Sequence, residues 1–186
     1  MARATIERKT EYLYCEIKNL NRINDFYKNE VINIMKDILP KLRLKDISML
    51  INTYSRYGID AFYFIKEYEI YKMSKEKINI IMIMIKNGYN LSDMGNVLFK
   101  YREEITSARE LFIVLMMRII NPNEYGSNPK VFFEEMHKDY LELFYKSYRD
   151  MLNSKEGITS DLKCKFAIAY YSSSLKHKID ERIENR

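Results

Sequence analysis

Toward the N-terminus the apolar side chains fall at Ile6, Leu13, Ile17, Leu20, Tyr27, Val31, Ile34 and Ile38, and neither Gly nor Pro interrupts the chain before Pro40. From Leu13 onward, with Asn24 filling the polar slot, the steps alternate between 4 and 3 residues. That spacing predicts a long N-terminal helix over 6–39 in a heptad register. Ile17, Asn24, Val31 and Ile38 take the a positions; Leu13, Leu20, Tyr27 and Ile34 take the d positions. Leu13, Ile17, Leu20, Asn24, Tyr27 and Val31 are thus a candidate dimer seam, in which a lone Asn at an a position would set the pairing. Ile23, Phe26, Met35 and Leu39 widen the apolar stripe, which favours a helix lying on its own domain. A break near 19–24 is the other way to accommodate its asparagines. Pro40 ends the segment, because the residue before a proline is pushed out of the α region.

Farther along, the run at 111–117 contains no polar side chain, within a predicted helix over 107–120 opened by the capping box Ser107/Glu110. An apolar stretch of this length is too short to cross a bilayer, which takes about 20 residues. With no face to offer water, it predicts a central helix wrapped by others. The segment 78–85 is nearly as apolar, and Ser74 before it with Gly88 after it favour a helix there too. Further helices are predicted over 46–57, 61–73, 92–101, 129–153 and 160–183. Gly58, Gly88 and Gly157 fall at breaks, and residues 121–128 form the clearest loop. The expectation is an all-α fold: a single-domain bundle of about seven or eight helices around the helix at 107–120. Its partition would be a long N-terminal helix over 1–40, a candidate dimerisation arm, and a helical domain over 41–186.

Composition agrees with a helical chain. Only 5 Gly and 3 Pro punctuate 186 residues, too few for a many-stranded sandwich. The abundance of Ile, Lys, Asn and Tyr, with no Trp, is what an AT-rich genome encodes, which suits a low-GC bacterium, a phage, a plasmid or a large DNA virus. The net charge of +5 arises from 31 Lys and Arg against 26 Asp and Glu, and both signs are dispersed along the chain. Cys15 and Cys164 form no paired motif, and no apolar signal region follows Met1, so a reducing, cytoplasmic setting in a bacterial or virus-infected cell, away from the membrane, is expected.

Candidate chemistry is sparse. Glu134 and His137 have the spacing of a metal-binding helix motif, but the only other histidine, His177, has Ser174 where a second Glu would stand. No nucleophile and base share a local signature and no phosphate loop occurs, so no enzyme class, metal or cofactor is expected. The string from Ile85 to Met94 is similar to the helix pair that follows the reading head of MerR-type regulators, yet it carries no base-contacting motif; a structural helix pair is expected.

The 16 tyrosines exceed what one core absorbs. Tyr is an amphipathic residue enriched at binding hot spots, which makes Tyr170, Tyr171, Tyr145 and Tyr148 a candidate interface. The leading expectation is a non-catalytic binding or regulatory protein, encoded by a phage, plasmid or virus, that contacts another protein. The alternative is a nucleic-acid-binding module, a homodimer through the N-terminal heptads. Arg3, Arg8, Lys9, Lys163, Lys176 and Lys178 would then meet phosphates.

Overall fold

The computed structural model describes residues 4–20, 25–120 and 138–184; the side chains of 25, 119–120, 138–141 and 173–181 are outside that description. Among the described residues the fold is all-α. The helices are α1 Ile6–Lys18, α2 Asp25–Ile38, α3 Leu44–Tyr57, α4 Ile59–Glu67, α5 Lys75–Lys86, α6 Leu91–Tyr101, α7 Ala108–Ile120, α8 Lys138–Asn153 and α9 Ser160–Glu184. Short 3-10 turns at Leu39–Lys41 and Ile70–Lys72 follow α2 and α4.

The chain divides into two compact units, Met1–Met73 and Ser74–Arg186, which corrects the expectation of one bundle around one central helix. The boundary also differs from the expected partition at 40/41. α1 packs on α2 and on α3, and α3 on α4, so the N-terminal helices are part of the first unit's core.

The long N-terminal helix is corrected as well. α1 stops at Lys18, where the N–H of Asn19 closes on the Cys15 carbonyl, and α2 starts anew at Asp25. Three of the seam residues, Leu13, Ile17 and Val31, are buried inside the unit against its other helices. Leu20 is half-buried and Tyr27 is exposed; Asn24 lies outside the described residues. The heptad spacing therefore records two amphipathic helices that face one core, because a period of 3.5 to 3.6 arises in either arrangement.

Gly58 joins α3 to α4 at φ 88, ψ −177, a region essentially closed to residues with a Cβ. The helix expected over 61–73 ends at Glu67. Glu69 takes φ 49, and the turn after it drives Ile70 and Tyr71 into the core, where both are buried.

In the second unit the apolar run behaves as its composition demands. Leu111, Phe112, Ile113, Val114, Leu115 and Met116 are all buried, on every side of α7. α5, α6, α8 and α9 supply the cover. Phe112 meets Phe166 edge-on at 6.1 Å and Tyr148 at 5.5 Å, while Phe144 stacks on Phe166 at 4.7 Å. The capping box is present: Ser107 Oγ accepts from Glu110 N at 3.2 Å, and Glu110 Oε2 accepts from Ser107 N at 3.1 Å. α5 and α6 are the expected helix pair, turned at Gly88, and each packs on α7.

Phe112→Ala is expected to destabilise this unit by about 3–5 kcal/mol, because a fully enclosed ring leaves a cavity. Phe99→Ala, at a ring that is 87% exposed, is expected to stay within about 0.5 kcal/mol. Urea denaturation of the two variants measures the contrast.

Candidate anion-binding cleft

A cavity lined mainly by charged residues lies in the first unit, a cleft of about 1030 Å³. Four short segments build it: the first turn of α1, the turn at Leu39–Lys41, the start of α3, and the turn at Ile70–Lys72.

Thr5 caps α1 by accepting from the Arg8 N–H at 3.3 Å, which places Arg8 and Lys9 in the opening turns. Arg8 is exposed at the cleft wall. Lys9 is only 5% exposed, and its Nζ donates to the carbonyls of Pro40 at 3.0 Å and Leu39 at 3.4 Å. These carbonyls belong to the turn that directly follows α2, next to the helix end where the dipole favours a cation. An ammonium has three N–H donors, so one is left for the cleft that Lys9 lines. No carboxylate among the described residues pairs with Lys9. A buried charge is costly unless paired, and carbonyl dipoles compensate it only in part.

After Pro40 the chain is extended at Leu42 and again at Arg43, where α3 has its N-cap. Lys41, Arg43 and Lys45 stay exposed while Leu42 is buried. Asp46 is the one acid of the lining, and its charge is already matched. Its Oδ2 accepts from Arg43 N and Nε, each at 2.8 Å, and its Oδ1 accepts from Arg43 Nη2 at 2.9 Å. That hydrogen bonding holds the Arg43 guanidinium above its ordinary value. Arg43 Nη2 also donates to the Tyr71 carbonyl at 3.2 Å, which ties the start of α3 to the second turn, and Lys72 pairs with Glu69.

Arg8, Lys9, Lys41 and Lys45 therefore bring positive charge to the cleft with no ion pair among the described residues. Clustered like charges repel, and a concave wall focuses their field on whatever occupies the space. The chemistry such a surface offers is anion binding through N–H donors.

Arg8 and Lys9 are the only two of the expected phosphate contacts that meet here. Arg3 lies outside the described residues; so do the side chains of Lys176 and Lys178 on α9. Lys163 belongs to the second unit, with its Nζ 5.4 Å from the centre of the Tyr89 ring. Lys41, Arg43, Lys45 and Lys72 were missed. Alternation of Lys41, Arg43 and Lys45 with leucines directly after Pro40 was the available signal, since an extended segment puts every second residue on one side.

Of the expected tyrosine interface, Tyr148 and Tyr170 are core residues, 8% and 4% exposed. Burial pushes the Tyr148 phenol above the usual tyrosine range. Tyr145 is half-buried with the Arg109 guanidinium 4.9 Å from its ring centre, and Tyr171 is exposed. Tyr170 lies four residues after Phe166 on α9, so it shares the face that Phe166 buries against Phe144. Glu134 and His137 lie outside the described residues, as does the His177 side chain. Among the described residues no three His, Cys, Asp or Glu groups cluster as a metal site would require. No helix among them is long and apolar enough to cross a membrane.

No protein-family model, curated protein or solved structure matches this chain.

Asp46→Asn removes a buried carboxylate that three Arg43 donors share, and is expected to destabilise the first unit by about 2 kcal/mol. Chemical denaturation of the variant against the parent chain reads the loss.

Proposed function

We propose that the protein is a non-catalytic binding protein whose N-terminal unit grips the phosphate backbone of a nucleic acid. The supporting observation is Lys9: an ammonium held 5% exposed in a cleft wall, with carbonyls but no carboxylate as partners among the described residues. Phosphate oxygens supply the counter-charge that this site lacks, and Arg8, Lys41 and Lys45 extend the same chemistry along the cleft. The lining contains no Asn or Gln, the side chains that read adenine edges. Binding through such a surface depends on charge and little on base sequence.

Fluorescence anisotropy with labelled single-stranded and duplex oligonucleotides tests this reading. Log K is expected to fall linearly with log salt, with a slope of about −3 to −4 on duplex if four phosphates are neutralised. Lys41→Glu with Lys45→Glu is expected to weaken binding by about tenfold or more and to flatten that slope. Absence of binding to DNA and RNA at low salt, or a slope near zero, overturns it.

A second reading, contact with another protein, draws on α9. Cys164, Ile168 and Tyr171 are exposed at spacings of 4 and 3 residues and so line one stripe of the helix, with Ile168 63% and Tyr171 53% exposed. Aromatic and aliphatic side chains in such a stripe are the usual anchors of a protein interface. Ile168→Ala with Tyr171→Ala is expected to abolish capture of a protein partner from host lysate and to leave oligonucleotide binding unchanged. Capture that is unaffected by the pair removes this stripe as an interface.

A further inference from the structure

The cleft of the first unit holds more positive charge than a strand passing through it would match. Arg8, Lys9, Lys41, Arg43, Lys45 and Lys72 all line it. Asp46 matches Arg43, and Glu69 pairs with Lys72. Arg8, Lys9, Lys41 and Lys45 remain without a carboxylate partner among the described residues. The carbonyls that Lys9 bonds are dipoles and carry no net charge.

Two helix starts add to that sum. The lining includes Arg8 and Lys9 in the opening turns of α1, and Leu44, Lys45 and Asp46 in the first turn of α3. A helix start carries partial positive charge on N–H groups that have no partner within the helix. The carbonyls after α2 have the opposite sign, and Lys9 covers two of them.

The room available decides which form of phosphate fits. About 1030 Å³ holds on the order of two nucleotides at the packing density of protein interiors. Each internal phosphodiester brings a single negative charge, so a strand threading the cleft supplies about two. A terminal phosphate monoester carries nearly two charges of its own and three unbridged oxygens, so an end of the same length supplies about three. Four short segments wall the space, and a threading strand must both enter and leave it, whereas an end has only to enter. Ala4, Pro40 and Leu44, each partly or fully exposed, give the lining an apolar portion for a sugar or base.

We propose that the cleft is an end-binding site for the terminal phosphate of a single nucleic-acid strand. The phosphate lies among Arg8, Lys41 and Lys45, with the Lys9 charge in the wall, and the adjoining nucleotide lies against Ala4, Pro40 and Leu44. This deepens the phosphate reading of the first unit and rests on it.

Competition anisotropy on the intact chain is the test, with an internally labelled, end-phosphorylated oligothymidylate as tracer. Competitors of one length carry a 5′-phosphate, a 3′-phosphate or hydroxyls at both ends, and a further one is closed into a circle. At least one phosphorylated end is expected to compete about tenfold better than the hydroxyl-ended strand, because an additional charge and its hydrogen bonds are engaged. The circle is expected to match the hydroxyl-ended strand or fall below it. A hydroxyl-ended strand longer by one nucleotide, which adds a charge as a diester, is expected to gain less than about twofold. Arg8→Gln with Lys45→Gln, at two exposed positions, is expected to cut the end preference to about twofold or less.

Equal competition by phosphorylated and hydroxyl-ended strands overturns the end assignment and leaves the phosphate reading standing, and so does an equal gain from the added nucleotide. An end preference that survives in the double variant overturns the assignment to this cleft. Absence of binding by every strand at low salt overturns the phosphate reading and this site with it. The strand comparisons use the unaltered protein and so decide the matter even if the variant folds poorly.

Discussion

A helix without a polar face cannot stand at a surface. From Leu111 to Met116, α7 has only apolar side chains, and every one is buried. Four helices must therefore find places around it, and the second unit is organised by that requirement. The aromatic set of Phe112, Phe144, Tyr148 and Phe166 fills the space between α7 and the pair α8–α9 in edge-on and stacked contacts. The interior claim on aromatic side chains also explains why the tyrosine count overstates the accessible aromatic surface.

The first unit rests on a different principle. None of its helices is apolar all round; one-sided helices share one core, with Leu13, Met35, Leu50, Phe62 and Ile65 at its centre. Polar groups lock the edges. Lys9 reaches the carbonyls of the turn after α2, Tyr12 shares a 2.6 Å hydrogen bond with Ser48, and Arg43 links the cap of α3 to the turn at Tyr71. Those same ties shape the cleft. A lysine used as a structural clasp brings its charge to the wall, and the turn after Pro40 directs Lys41 and Lys45 to the same side. Structure and candidate function share residues here, so charge at the cleft cannot be changed freely without attention to the fold.

Much of the architecture was readable beforehand because it depends on local rules. Capping residues, glycine at positive φ and the 3.6-residue period each act over a few positions, and Thr5, Ser74, Asn90 and Ser107 all cap or help to cap helices. The long N-terminal helix failed for a physical reason: a heptad spacing is the same whether a stripe faces a second chain or the helix next to it. The early end of α4 failed because burial of Ile70 and Tyr71 outweighed the continuation of a helical pattern. The basic cleft was half legible. Arg8 and Lys9 stood out as basic, but the separation of 30 or more residues between Lys9 and its carbonyl partners is invisible to any local pattern.

By itself the sequence determined the class of the fold, the identity of the helix that must be enclosed and most helix starts, since these follow from side-chain polarity and short-range hydrogen bonds. Tertiary structure alone decided that the chain forms two units, which tyrosines become core, and which of the scattered cations converge. Charges dispersed in order become a cleft only when α1, two turns and the start of α3 meet, and that meeting is governed by apolar packing among residues that carry no charge.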